Sequence, residues 1–222
     1  MLELEKHDEV LVLRMDSGEN RFSGEAIGRW NELLDEAEAA AGHKALVTTG
    51  AGKFYSNGLD LEYMQSGEVE PAAYVKSVLA IMGRVLTFPA VTVAAMNGHA
   101  FGAGAQIALA HDYRIMRKDR GYFCMPEIDL GMPLHPGMTA LIKARLPIQT
   151  AHEVITTGTR YPGDLALERR IVDRIEDEGS LLSSAIEMAA SLASKAAPIM
   201  TRLKAEMYPQ VIEAMGASMG RE

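Results

Sequence analysis

The stretch AVTVAAMNGHAFGAGAQIALAH, residues 90–111, constrains the fold more than any other part of the chain. AVTVAAM reads as a strand, closed by the Asn97-Gly98 turn signal. Three small residues (Gly102, Ala103, Gly104) then lead into AQIALA, a helix without a polar face. A helix of that kind must lie inside the molecule, with other elements wrapped around it. Its first polar residue is Gln106, an amide that accepts no proton at neutral pH.

A similar unit precedes it. KALVTTG has the profile of a short buried strand ended by Gly50, and GAGKFYSNGLD follows as a loop. LELEKH and EVLVLRM suggest a strand pair at the start, and Ser23 to Ala41 has helical spacing with Ser23 as cap. Pro71 to Leu86 is helical, and DYRIM and GYFCM read as strands. MPEIDLGMPLHPG reads as a loop, followed by helices near 138–146 and 148–157 and one starting at YPGDLALE. RIVDRI reads as a late strand, and helices are expected over 180–196 and 198–219. This alternation argues an α/β fold with a helical extension at the end.

The 222 residues are enough for one domain, and 48% hydrophobic content allows a real core. A formal charge of -8 without a basic stripe argues against nucleic acid as a partner. No run approaches the ~18 apolar residues of a bilayer span, so no membrane partner is expected. Cys124 is the one cysteine, which fits a reducing compartment and reads as a buried strand thiol. The acidic start MLELEKHDEV and the final GRE carry no targeting pattern, so a cytoplasmic protein is expected. His99 and His111 lack nearby ligand partners, and no metal is expected.

Each of the two units places glycine between a strand and a helix start. Glycine admits close approach of a ligand, and a helix N-terminus offers free N–H groups with partial positive charge. Two such points meeting in space would form an oxyanion hole; taken singly, they are tight strand-to-helix turns. A third feature, MPEIDLGMP, holds Glu127 and Asp129 between prolines. A loop carboxylate is ordinarily solvated, but Glu127 between Pro126 and Ile128 is open to partial desolvation, which would raise its pKa toward that of a base.

FYSNGLDL, NGHAFGAGAQIALAHDYRIM and PEIDLGMP, in that order and spacing, resemble the two oxyanion loops and the catalytic loop of the enoyl-CoA hydratase/isomerase (crotonase) superfamily. The resemblance implies a crotonase-like spiral of ββα turns over 1–175. It implies a C-terminal helical region, 176–222, for trimerisation or pocket closure, and a homotrimer or a dimer of trimers. The substrate implied is an acyl-CoA thioester, with coenzyme A entering as part of the substrate and no separate cofactor. Its carbonyl oxygen would sit between the amides of Leu59 and Ala103. Ser56, Asn57, Gly58, Asp60, Gly102 and Gln106 would surround it; Asp60 also reads as a helix cap. Arg21 and Lys53 are candidate contacts for the coenzyme A phosphates. His135 falls where dienoyl-CoA isomerases of the family keep an acid, and reads as a proton relay or a polar rim residue.

Hydratases of the family use two glutamates, at the positions of Gln106 and Glu127. With an amide at 106, the resemblance is to the Δ3,Δ2-enoyl-CoA isomerase branch, in which one Glu carries the acid–base work. Another single-carboxylate acyl-CoA reaction, a hydratase-like activity, and a non-catalytic acyl-CoA-binding protein are the alternatives.

Overall fold

The computed structural model describes residues 1–216. The chain winds as a spiral. It opens with an antiparallel pair, β1 (Leu2–His7) and β2 (Val10–Met15), followed by α1 (Gly24–Ala39). The next turn is β3 (Ala45–Gly50), β4 (Phe54–Ser56), α2 (Leu61–Gln65) and α3 (Pro71–Leu86). Another follows: β5 (Val91–Met96), β6 (His99–Phe101) and α4 (Ala103–Ala110). The last has β7 (Tyr113–Arg117) and β8 (Phe123–Cys124), then α5 (Glu127–Leu130), α6 (Pro136–Arg145), α7 (Ile148–Thr157) and α8 (Gly163–Glu168). β9 (Arg174–Glu176), α9 (Glu178–Leu192), α10 (Pro198–Met207) and α11 (Pro209–Met215) complete the described chain.

The first turn gives both its strands to one sheet, and each of the next three gives one strand to each of two sheets. The large sheet runs β1-β2-β3-β5-β7-β9 and the small one β4-β6-β8. Apart from β1 with β2, all these pairings are parallel. Parallel strands covered on both faces carry continuous apolar runs, which explains ALVTTG and VTVAAM. Leu46, Ala94 and Met116 face the main core, with residues of α1, α3 and α4. Val47, Val93 and Ile115 face the other way, onto Leu181, Ala185 and Ala189 of α9. The boundary at 175/176 expected from sequence falls inside β9, which pairs with β7.

Some elements differ from their sequence profile. In RIVDRI only Arg174 and Ile175 are strand; Ile171 and Val172 are buried, and their amides close the end of α8 on the Ala166 carbonyl. Their apolarity serves packing, not sheet pairing. The expected tail helix is two helices, because Pro209 has no N–H to continue the ladder. Its last expected residues, 217–219, lie outside the described residues. MPEIDLGMP contains a helical turn, α5, that its loop-like composition hides; Gly131 ends it at φ 64°.

The crossings between the two sheets stack on one another. A Cβ at Gly98 would collide with the Lys53 carbonyl, and one at Gly121 would stand 2.6 Å from Gly98 C. Gly98→Ala is therefore expected to lower stability by about 3 kcal/mol. Gly28→Ala, where a Cβ on α1 meets nothing within 4 Å, should raise it by about 0.5–1 kcal/mol. Urea denaturation of the two variants beside the parent protein checks both signs.

Candidate active site

The site forms where the β4–α2 and β6–α4 connections touch backbone to backbone. Gly58 has φ 81°, and a Cβ there would lie 2.6 Å from the Phe101 carbonyl and 2.9 Å from the Ala103 amide. A Cβ at Gly104 would collide with the Ser56 carbonyl. Gly102, at φ 51°, turns the chain into α4 and caps it without any side-chain bond. The first helical bonds of α4 come from Ala105 and Gln106 to the Gly102 carbonyl. Among the described residues, the amides of Leu59 and Ala103 donate to no acceptor. Two free N–H groups thus stand at one junction, one of them on the first residue of a buried helix.

Glu127 reaches this junction from the β8–α6 connection. Its Oε1 lies 3.5 Å from the position of a Gly102 Cβ and 3.5 Å from Gln106 Nε2, which donates to it. Its Oε2 is buried without a partner, as is Oε1 of Gln106. Burial pushes the Glu127 carboxyl above the usual carboxylate range, against weaker lowering by its own backbone amide and by Gln106.

The other expected residues divide. Ser56 is buried, and its hydroxyl donates to the Asn20 carbonyl at 2.7 Å and accepts from the Gly58 amide. The Asn57 side chain donates to Glu19 at 2.9 Å. That bond, with Arg21 beside it, holds the Glu19 carboxyl low. Arg21 pairs with Glu19 at 2.6 Å and has Asp60 and Glu62 at 3.9 Å. Asp60 caps α2 by accepting from the Tyr63 amide. These residues brace the first loop. His135 caps α6, accepting from the Gly137 amide at 3.1 Å. Lys53 sits at the stacked crossings, over the Phe54 ring. Cys124 is buried, its thiol donating to the Gly158 carbonyl, and burial raises its pKa to about 11.

Two supports carry no motif. The Tyr74 hydroxyl, buried on α3, accepts from the Asp60 amide and donates to the Phe22 carbonyl, pinning the first loop to the start of α1. Arg145 donates to the carbonyls of Leu109, His111 and Asp112, and Arg114 also reaches His111 O. Two cations thus hold the C-terminal carbonyls of α4, opposite the end at the site. A tyrosine within an apolar helix face was the available signal for Tyr74; Arg145 had none.

The family model described as enoyl-CoA hydratase/isomerase matches residues 5–219. The chain belongs to the enoyl-CoA hydratase/isomerase family. Within this crotonase superfamily its similarity runs to the isomerase branch. It is 33% identical to enoyl-CoA delta isomerase 3 of Arabidopsis thaliana, over 95% of this chain and 93% of that one. It is 31% identical to the peroxisomal enoyl-CoA delta isomerase 2 of the same plant, over 97% and 95%. An enoyl-CoA hydratase/isomerase family protein from Pseudomonas syringae superposes with a TM-score of 0.88 at 24% identity, over 97% of this chain and 95% of the other, which shows the crotonase fold. No helix among the described residues is long and apolar enough to cross a membrane.

A carboxyl whose pKa is raised in the folded state costs stability once it ionises. Its contribution is favourable below the unfolded value and is lost as pH rises through the folded one. Glu127→Gln is therefore expected to melt at a higher temperature than the parent at pH 8 and at the same temperature near pH 4. Scanning calorimetry at the two pH values reads the difference.

Proposed function

We propose that the protein is an acyl-CoA isomerase that moves a double bond from the 3- to the 2-position of an enoyl-CoA. The observation that carries this reading is one carboxylate, Glu127, facing an amide, Gln106, at a junction with two free backbone N–H groups. The thioester oxygen would accept from the Leu59 and Ala103 amides, which then face the negative charge of the dienolate. Glu127 Oε2, the unpartnered oxygen, takes the proton from C2 as the C–H electrons move into the thioester. The same carboxyl returns that proton at C4, leaving the double bond between C2 and C3. The proton that leaves C2 is the one that arrives at C4, so the group needs no water and no separate cofactor.

Hydration would need a second carboxylate to activate water, and Gln106 has no basic oxygen at neutral pH. Coenzyme A is bound as the handle of the substrate, and β-oxidation of unsaturated fatty acyl chains is the pathway this chemistry serves. Assembly as a homotrimer, single or paired, is part of the proposal. Its support is the exposed apolar stripe of Ile199, Leu203 and Met207 on α10, spaced four residues apart.

The test is a pair of spectrophotometric assays, one following conjugation of a 3-enoyl-CoA and the other hydration of a 2-enoyl-CoA. The parent protein is expected to give the first and not the second. Glu127→Gln should lose about 10²–10⁴-fold in kcat. kcat/KM should fall on the acid side through an apparent pKa above the ordinary carboxylate range, because the ionised form is the base. Strong hydration by the parent protein would overturn the assignment.

A further inference from the structure

The turn that leads into β8, the start of β6 and Pro162 line a half-open cavity of about 290 Å³. Lys118, Arg120, His99 and Tyr122 line it. It lies at the stacked crossings, where β6 begins, while Gly58 and Gly102 meet at the other end of that strand. Two kinds of group converge there.

The first is positive charge. Lys53, Lys118, Arg120 and Arg160 form no ion pair among the described residues, although the chain carries a net charge of -8. Asp119, which also lines the cavity, is engaged by Arg117 through bonds of 2.7 and 2.8 Å. Burial pushes the His99 pKa down, and the charges of Lys53, Arg120 and Arg160 push it the same way. Its Nδ1 is buried with no partner.

The second is aromatic surface. The His99 ring lies 5.4 Å from Phe54, 5.0 Å from Phe101 and 5.4 Å from Tyr122. Lys53 stands over the Phe54 ring and Arg160 over the Phe101 ring. Tyr122 keeps about a third of its surface exposed at the cavity mouth (36%). Like charges gathered around a single carboxylate that Arg117 already engages cost energy, and a ligand anion relieves it. Cations beside an open aromatic face suit a phosphate joined to a flat ring.

We propose that this cavity binds a nucleoside phosphate, its phosphates on Lys118 and Arg120 and its base against Tyr122 and His99. The volume is at the lower limit for a small-molecule site, which fits a mono- or diphosphate. Two sources carry this chemistry: a free nucleotide, or the phosphorylated adenosine end of a coenzyme A thioester. The second source rests on the proposed acyl-CoA activity; the first does not.

The test titrates the full-length protein with ADP while NMR follows the His99 ring, its signal assigned by its loss in His99→Phe. A saturable shift is expected. It should weaken at least about tenfold in the Lys118→Ala/Arg120→Ala double variant, whose side chains are exposed. Adenosine without phosphate should bind more weakly still. Displacement of ADP by acyl-CoA, with a raised KM for enoyl-CoA in the double variant, would assign the site to coenzyme A. An unchanged KM and no displacement would assign it to a free nucleotide. No saturable His99 shift, or a shift indifferent to the double variant, overturns the proposal. Neither result depends on turnover, so a failed titration leaves the isomerase reading untested by it, and a failed isomerase assay leaves the titration intact.

Discussion

The contact between the Ser56 carbonyl and the α-carbon of Gly104 holds the two halves of the site together. It lets β4 and β6 deliver their chain ends to one point, and it leaves no room for a side chain at position 104. Gly58 makes the reciprocal approach to Phe101 and Ala103. Because the contact is backbone on backbone, the positions of the Leu59 and Ala103 amides are set by the sheets, not by rotamers. Glu19, Asn20, Asn57 and Tyr74 then tie the first loop in place from outside.

The second connection is braced from behind. α4 is buried along its whole length, so its last carbonyls have no water to satisfy them. Arg114 and Arg145 take that role. Arg145 also donates to the Tyr208 hydroxyl at 2.5 Å, and Lys204 reaches Asp112 at 2.6 Å. The helices after β9 are thereby coupled to the far end of the helix that opens onto the site. Removing the C-terminal helices would expose α9's side of the large sheet and loosen α4 as well.

The spiral was legible because its strands are buried on both faces and its crossings need glycine. Those two demands mark the sequence strongly at KALVTTG, AVTVAAM, Gly58 and Gly102. The short helix α5 was hidden by two prolines and a glycine that also suit a loop, although Pro126 before it and Gly131 after it are the ordinary brackets of a helix. Side-chain roles were harder to read. Arg21 looked free for a phosphate in sequence, but its neighbour Glu19 occupies it. Pro136 marks the helix start after His135, but nothing in the sequence says that the His135 ring nitrogen closes it. Such roles depend on which groups become neighbours after folding.

Gln106 and glutamate have nearly the same shape, and position 106 is fully enclosed. Exchanging one for the other leaves the packing around α4 alone and replaces the amide donor facing Glu127 with a second carboxyl oxygen. In the genetic code that exchange is one base. A lineage built on this scaffold could therefore cross between one-carboxylate and two-carboxylate sites in a single step, with only the contact to Glu127 changed.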